Sequence, residues 1–541
     1  MRIGIDVGGT NTDAVLMDGD RVVAAVKRGT TRDVTGGIVA ALEGLRDQLL
    51  QRPPATGSAR AANGADGEGA TLGDVNAVMI GTTHFINALV EADRLAPTAA
   101  VRLGLPATSA LPPFVDWPDA LVEAVSGRGY LCHGGHEFDG RLISEPDPDE
   151  LRRTADDIRA RGIRSVAVSS VFSPVNIEFE ERAAEILAAE LPGVPISLSH
   201  EIGRIGLLER ENATIVNAAL RELATGIVDG LSGAMAGLGI TAPLYLSQND
   251  GTLMGLEFAR RYPVATFASG PTNSMRGAAA LSGIGTCAVV DIGGTTSDIG
   301  ILSGGFPREA TTEVTVAGIR TNFRMPDVLS IGIGGGSRIH PDHRVGPDSV
   351  GYRLPEQALV FGGSTLTATD IAVAAGRAEI GDPSLVAHLD RGMVQAVLDR
   401  IADEVAEAVE RMRTSPEPLP VVAVGGGSIL LPDELPGCGT LHRPGNHSVA
   451  NAIGAAIAQI GGEVDRIYTV APDRRETVLD EARQEAVDRA IAGGAQPGSV
   501  RIVEFDEIPV PYLPGDATRI RVKAVGDLAI KELSTKGAGH A

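Results

Sequence analysis

The chain begins with RIGIDVGGTNTDAVLM (residues 2–17), and CAVVDIGGTTSDIGIL (residues 287–302) repeats that pattern near its middle. Both stretches contain Asp-x-Gly-Gly-Thr-x-(Thr/Ser)-Asp, at 6–13 and 291–298, with five identical residues in eight. Each motif lies between two apolar runs of strand length, which predicts a β-hairpin with a glycine-rich turn. Two copies so far apart in one chain predict two similar lobes that face each other across a cleft.

Each predicted turn has the composition of a phosphate-binding site. Two glycines let the backbone bend so that its N–H groups converge on an anion, and threonine hydroxyls supply further donors. An aspartate at the C-terminal end of a buried strand lies where open α/β sheets bind ligands, and beside a phosphate it predicts Mg²⁺. A structural turn whose aspartates accept backbone N–H groups is the alternative. The residues predicted to bind phosphates are Gly8, Gly9, Thr10, Thr12, Gly293, Gly294, Thr295 and Thr296.

Two further glycine clusters follow β-rich runs, SIGIGGGS at 330–337 and VAVGGGSIL at 422–430. Neither matches the Walker pattern, and the first hairpin lacks the G-x-G-x-x-G spacing of dinucleotide-binding folds. A glycine triplet at a strand end predicts a floor for a phosphate or an adenosine, with an ordinary loop as the alternative. The candidates are Gly334, Gly335, Gly336, Gly425, Gly426, Gly427 and Ser428.

Length and composition narrow the class of protein. At 541 residues the chain is too long for a single core. Its formal net charge of −22, without a Lys/Arg run, argues against a nucleic-acid partner. Three cysteines, none in a Cys-x-x-Cys pair, are typical of a reducing compartment, and no apolar run is long enough to indicate a membrane span. We expect a cytoplasmic protein that binds neither nucleic acid nor membrane.

Strand and helix patterns alternate along the chain, which predicts an α/β architecture. Residues 2–28 predict three strands in succession. The predicted domains are an N-terminal lobe at 1–200, a second lobe at 201–461 and a small α+β region at 462–541. The Pro/Gly/Ala-rich stretch 51–73 predicts a mobile surface loop.

Several motifs carry a resemblance to a known family. GTTHFINALVE, RENATIVNAAL, SQNDGTLM, ATFASGPTNSMRGAA, DVLSIGIGGGS and TATDIAVAAG, together with both hairpins, occur in that family's order over roughly residues 1–460. They resemble the signatures of the hydantoinase A / 5-oxoprolinase family, which belongs to the actin, sugar-kinase and heat-shock ATPase superfamily. The resemblance implies two ribonuclease-H-like lobes around an ATP cleft, with the C-terminal α+β region as an appendage.

The resemblance also implies an activity, the ATP-dependent opening of a cyclic amide (a hydantoin, 5-oxoproline or related lactam) through phosphorylation of the amide oxygen. It implies ATP and Mg²⁺ as cofactors, with Asp6 and Asp291 binding the metal directly or through water. Asp13 and Asp298 then contact metal-bound water or fix the turns. Asp250, just past the strand PLYLSQ, orients substrate or water unless it only forms an Asp-Gly turn.

Alternatives to this activity stay open. Carboxylases that activate ketones share the ATP-binding half, small-molecule kinases share the fold, and a non-enzymatic ATP-gated regulator is a third reading. Members of the family often work with a hydantoinase B-like half. The resemblance therefore implies a separate B-type subunit as partner, in a homo- or hetero-oligomer.

The stretch CHGGHEFDGR, at 132–141, concentrates histidines and acidic residues. We predict that it forms a loop on the substrate side of the cleft. The alternative is a metal site with His136 and Asp139 as ligands, joined by His84 or His200.

Overall fold

The computed structural model describes residues 1–30, 34–51, 72–310, 313–470, 473–511 and 516–529. The predicted mobile loop at 51–73 lies outside these residues except for its ends. Strands and helices alternate through the described part of the chain, which confirms the predicted α/β class.

The strands are β1 Arg2–Val7, β2 Asn11–Asp18, β3 Arg21–Gly29, β4 Ala77–Thr82, β5 Thr98–Leu105, β6 Arg128–His133, β7 Ser165–Ser170, β8 Ile196–Leu198, β9 Leu244–Ser247, β10 Thr252–Gly255, β11 Cys287–Ile292, β12 Ser297–Ser303, β13 Phe306–Pro307, β14 Val314–Val316, β15 Ile319–Thr321, β16 Val328–Ile331, β17 Ser337–Ile339, β18 Val345–Ser349, β19 Val421–Val424, β20 Leu441–His442, β21 Gln459–Thr469, β22 Arg501–Pro509 and β23 Ala517–Gly526. The α-helices are α1 Val34–Leu50, α2 His84–Val90, α3 Asp119–Ala124, α4 Pro148–Ala160, α5 Glu178–Glu190, α6 Ser199–Ile202, α7 Leu207–Gly237, α8 Leu256–Arg261, α9 Ser269–Ser282, α10 Leu354–Gln357, α11 Ala368–Ala374, α12 Arg391–Met412, α13 Ala450–Ile457 and α14 Arg475–Ala492.

Two sheets repeat one strand order. In the first, β3-β2-β1-β4-β9 are neighbours, with β1 to β3 antiparallel and β4 and β9 parallel to β1. In the second, β12-β11-β19-β20 follow the same plan, with β13 and β16 beside β12 in the position that β3 has in the first sheet. The chain is thus built on two similar lobes, as the repeated hairpin motif predicts, and they are ribonuclease-H-like, as the family resemblance implies.

The predicted C-terminal α+β region is attached to the first lobe. Strands β21, β22 and β23 extend that lobe's sheet beyond β10, and α14 packs on β21 and β23. Because β21 runs from Gln459 to Thr469, it crosses position 461, where the sequence placed a boundary. The other domain boundaries stay predictions.

A third sheet, fully parallel, lies within the N-terminal half. Its order is β6-β5-β7-β8, and α4, α5 and α7 pack against it. The two inner strands, β5 and β7, are buried along most of their length, as parallel strands covered by helices are.

Helix α12 shows how the sequence forms the core of the second lobe. Its first turn is capped by Asp390, whose side chain accepts a hydrogen bond from the backbone N–H of Met393 at 2.8 Å. Apolar residues recur every three or four positions along the helix, and the buried ones include Val394, Leu398 and Val405. They pack with the inner face of the second sheet into one core cluster.

Helices α9 and α13 lie between the two lobes. Helix α13 packs on β1, β2 and β4 of the first sheet, and α9 packs on β11, β12 and β19 of the second. The two helices approach so closely that a Cβ on Gly454 would lie 1.8 Å from the carbonyl oxygen of Asn273. Among the described residues, none of the helices combines the length and apolar character that a membrane crossing requires.

Candidate functional site

The two motif hairpins have the same geometry. In the first, Asp6 lies directly opposite Asp13, and in the second Asp291 lies opposite Asp298. Each turn is closed by the same backbone bond: Gly8 N–H donates to Asn11 at 3.0 Å, and Gly293 N–H donates to Thr296 at 2.9 Å. The parallel neighbours, β4 and β19, flank the hairpins in equivalent positions.

The turns of the two hairpins face each other. A Cβ on Gly294 would lie 3.9 Å from Thr10 Oγ1. The glycine tips remain open to solvent, with Gly9 and Gly293 exposed and Gly294 half-buried. The charges of Asp6 and Asp291 also interact, since Asp6 raises the pKa of Asp291. The turns of both motif copies therefore meet where the two lobes face each other, at the position of the predicted cleft.

Asp6 is buried and held by two amides. Asn273 on α9 donates to Asp6 Oδ1 at 3.0 Å, and Asn451 on α13 donates to Oδ2 at 3.1 Å. Burial raises the pKa of Asp6 to about 6, although both amides favour the ionised form and lower it. Asp13 shares the Asn451 amide at 2.9 Å.

Asp13 has a cationic partner. Lys27 on β3 lies across the strand pair from it, and the Lys27 ammonium donates to Asp13 Oδ2 at 2.9 Å. Two carboxylates directly opposite each other repel. In the first hairpin, Lys27 and Asn451 compensate that repulsion.

The second carboxylate pair has serine partners. Ser274 on α9 hydrogen-bonds Asp291, and Ser330 Oγ donates to Asp298 at 2.5 Å. Burial raises the pKa of Asp291 to about 6, and burial also raises the pKa of Asp298. Both residues are half-buried.

The threonines of the motifs divide between the cleft and the interior. Thr12 is fully buried, and its hydroxyl lies 3.3 Å from that of Thr30. It therefore supports the turn from behind, unlike the phosphate contact predicted for it. Thr10 and Thr295 are half-buried, and Thr296 is exposed at the turn.

The first glycine triplet supports the second hairpin. Gly335 N–H donates to the carbonyl of Gly293 at 3.0 Å, and Gly336 N–H donates to that of Gly294 at 2.7 Å. These two N–H groups are therefore used to hold the turn. Gly334 N–H bonds the Ser337 hydroxyl at 2.8 Å.

The second triplet lies directly against Asp291. Gly425 has a φ of +81°, and a Cβ there would lie 2.3 Å from Asp291 Oδ1. Gly426 is exposed with open space around it, while Ser428 is buried, with its hydroxyl 3.0 Å from His447 Nδ1. A glycine is required at 425 because both the backbone angle and the carboxylate exclude a side chain.

Asp250 is engaged away from the carboxylate pairs. Its Oδ1 accepts hydrogen bonds from the backbone and the hydroxyl of Thr252, at 2.9 and 2.7 Å. Its Oδ2 lies 2.8 Å from the Lys523 ammonium on β23. Burial alone would raise the pKa of Asp250, but Lys523 and Thr252 lower it to about 2. Such a carboxylate is a weak base, and the geometry favours a structural role over the predicted orienting role.

The histidine-rich loop forms hydrogen bonds within its own lobe. His136 is buried, lies 3.1 Å from the Asn176 amide through Nε2, and stacks on Phe179. Asp139 accepts a hydrogen bond from Arg141 at 2.6 Å. Within the described ranges, no three His, Cys, Asp or Glu side chains come together as a metal-binding group. His136 and Asp139 are therefore engaged with neighbouring side chains of their own lobe, and the loop on the substrate side of the cleft stays a prediction.

The fold and the site together define a class, the two-lobed α/β proteins in which each lobe contributes one Asp-x-Gly-Gly-Thr hairpin. The family models agree. The hydantoinase/oxoprolinase N-terminal region matches residues 2–191, and the hydantoinase/oxoprolinase model matches residues 210–412. The chain belongs to the hydantoinase/oxoprolinase family.

Two curated proteins and one crystal structure are similar to this chain. The caprolactamase alpha subunit of Pseudomonas jessenii is 28% identical over 75% of this chain and 58% of its own length. The acetophenone carboxylase gamma subunit of Aromatoleum aromaticum is 25% identical over 69% of this chain and 53% of its own length. The chain thus spans just over half the length of these two curated relatives. The crystal structure of the ATP-dependent caprolactamase from Pseudomonas jessenii superposes with a TM-score of 0.76 at 20% identity, covering 97% of this chain and 87% of that one, which confirms the fold.

Sequence reasoning missed the residues that support the carboxylates. Asn273 and Ser274 lie in ATFASGPTNSMRGAA, a motif of the family resemblance in which the sequence predicted no site residue. Asn451 is a polar residue in an otherwise apolar helix, SVANAIGAAIAQI. Lys27 is one of only four lysines in the chain. Asn451 and Lys27 stand out in the sequence as unusual residue types in their surroundings. The aspartates that they contact lie in other segments, so the sequence does not reveal the contacts.

Proposed function

We propose that this chain binds Mg·ATP between the two hairpins and uses it to phosphorylate the amide oxygen of a cyclic amide, as the ATP-dependent subunit of a hydrolase. The observation that carries the proposal is the pair of hairpins in identical register, turned toward each other across one cleft. Phosphoryl transfer asks a protein mainly for positioning and charge neutralisation. The two opposed glycine turns would position the triphosphate, and the flanking carboxylates would hold a cation that neutralises its charge.

The donor set fits Mg²⁺ at the second hairpin. Asp291 and Asp298 are opposed, keep some exposure and have hydroxyl partners. Mg²⁺ usually takes one or two carboxylates and fills its other positions with water and phosphate oxygens, so a larger cluster is not needed. Bound there, Mg²⁺ would neutralise phosphate charge. At the first hairpin Asp6 is already held by two amides, which favours contact with the metal through water.

The chemistry explains why ATP would be used on an amide. Resonance protects the carbonyl of an unactivated lactam from attack by water. Phosphorylation of the amide oxygen removes that resonance and creates a leaving group. The chain's own part is to hold the triphosphate at Gly8, Gly9 and Thr10 on one side and at Gly293–Thr296 on the other.

Phosphate release from ATP tests the proposal. The chain should be assayed alone and with a hydantoinase B-type subunit, against hydantoins, 5-oxoproline and larger lactams. Lactam-stimulated phosphate release together with ring opening is expected. Turnover that no lactam stimulates, with the second subunit present, would overturn the proposal.

A carboxylase is the second candidate, because the acetophenone carboxylase gamma subunit matches over a similar span. If the chain is a carboxylase subunit, we expect phosphate release that depends on both a ketone and bicarbonate. A small-molecule kinase would instead accumulate a stable phosphorylated product. ATP binding that changes the affinity for a partner without turnover would indicate a regulator.

We also propose that the chain works as one subunit of an assembly. Both curated relatives reported above are named as subunits. Co-purification with a B-type subunit at fixed stoichiometry, measured by light scattering, tests this. A chain that reaches full lactam-dependent turnover by itself would contradict it.

A further inference from the structure

The two duplicated hairpins differ in the charge beside them. In the first, the Lys27 ammonium lies 2.8 Å from one Asp13 oxygen and donates to the other at 2.9 Å. In the second, the hydroxyls of Ser274 and Ser330 take the corresponding places beside Asp291 and Asp298. One half of the cleft therefore has a built-in cation beside its carboxylates, and the other half has neutral partners.

Lys27 keeps part of its side chain accessible to solvent while it is paired with Asp13. The Lys27 side chain is 40% exposed although its partner Asp13 is buried. An ammonium has three N–H donors, so it can contact a further anion while it keeps its carboxylate.

Lysine is a rare residue in this chain. Of its 47 basic residues only four are lysines: Lys27, Lys523, Lys531 and Lys536. The other 43 basic residues are arginines. A guanidinium is planar and suited to bidentate pairing with one carboxylate, whereas an ammonium is a compact charge whose donors can point at several oxygens. A lysine beside the cleft is therefore consistent with contact to more than one anion.

We propose that Lys27 is the fixed cation of the candidate phosphate site. It neutralises Asp13 in the empty cleft and contacts a phosphate oxygen of the bound nucleotide, so that part of the affinity for ATP does not depend on a divalent metal. The inference rests on the proposed function, because it requires ATP to bind between the hairpins. A purely structural Lys27 would neutralise Asp13 and leave nucleotide affinity unchanged.

Calorimetric titration of ATP and adenosine in EDTA tests the proposal. Lys27→Met is compared with wild type and with Arg28→Gln, the control. Arg28 is the next residue on β3, is exposed, and points to the other face of the strand. Lys27→Met is expected to weaken ATP binding about tenfold or more, as loss of a charged hydrogen bond does, without changing adenosine binding. Arg28→Gln is expected to bind both as wild type does.

Removal of Lys27 leaves Asp13 buried without its cation, so the same comparison is repeated in an Asp13→Asn background. Asp13→Asn with Lys27→Met removes both charges and preserves the folded chain, which thermal melting verifies. This double variant is expected to bind ATP about tenfold or more weakly than Asp13→Asn alone.

A loss of ATP affinity above about threefold that adenosine does not share supports the role of Lys27. A smaller loss, or one that adenosine shares equally, overturns it. Wild type that binds no ATP, with or without Mg²⁺, would overturn the proposed function and this inference with it. Wild type that binds ATP while the Lys27 variants bind it equally well would overturn only the role of Lys27.

Discussion

Asp291→Asn removes a carboxylate whose ionisation opposes folding when no metal is bound. Burial raises the pKa of Asp291 from 3.8 to about 6. Because the folded chain holds this proton more tightly than the unfolded chain, the free energy of unfolding falls as pH rises from about 4 to about 6 and then stays level. At about 1.4 kcal/mol per pKa unit, the ionised carboxylate costs about 3 kcal/mol above pH 6.

The Asn side chain keeps the volume and loses the charge. In EDTA, the variant is therefore expected to be more stable than wild type by up to about 3 kcal/mol at pH 8 and nearly equal near pH 4. For a lobe of this size, that difference corresponds to a rise of a few degrees in the melting temperature. Differential scanning fluorimetry at both pH values measures it, and Asp20→Asn, an exposed turn residue, controls for the loss of one negative charge.

If the proposed site is correct, adding Mg²⁺ and ADP makes wild type more stable than Asp291→Asn. Wild type should then gain stability that Asp291→Asn does not gain, because the variant has lost one carboxylate ligand. A variant that melts at or below the wild-type temperature at pH 8 in EDTA would refute the argument from burial. Equal stabilisation of both proteins by Mg·ADP would refute the metal role.

Three further substitutions test other parts of the structure. Asp250→Asn should lower the melting temperature at pH 7 by an amount equivalent to about 2 kcal/mol. The reason is that Lys523 lowers the pKa of Asp250 to about 2, so the ion pair stabilises the folded chain above pH 4. An unchanged melting temperature would contradict the ion pair. Gly425→Ala should cost about tenfold or more in ATP affinity with the circular dichroism spectrum retained, since the new Cβ collides with Asp291; unchanged binding would place the nucleotide elsewhere. Gly454→Ala should destabilise the contact between the lobes and increase cleavage in limited proteolysis, since its Cβ would lie 1.8 Å from the α9 backbone; wild-type resistance would show that the helices can separate.

The hairpins could be predicted because all that defines them is local. Glycines at the turn and aspartates at the flanking strands lie within eight residues, and the structure places both copies in the same register. The duplicated lobe then follows from the duplicated motif. The family resemblance added the order of the remaining segments.

The partners of those aspartates could not be predicted, because they come from remote segments. Asn451 follows Asp6 by 445 positions and Asn273 follows it by 267. The same reason applies to Asp250, for which the sequence predicted an orienting role or an Asp-Gly turn and could not show the contact with Lys523. A local pattern identifies a candidate, whereas its protonation and its freedom to react are set by whichever side chain the fold places next to it.

Two consecutive residues of α9 reach opposite lobes. Asn273 donates to Asp6, and Ser274 hydrogen-bonds Asp291. Adjacent residues of one helix therefore fix the separation between Asp6 and Asp291. A separation of the lobes would therefore break the hydrogen bond from α9 to Asp6 or the one to Asp291.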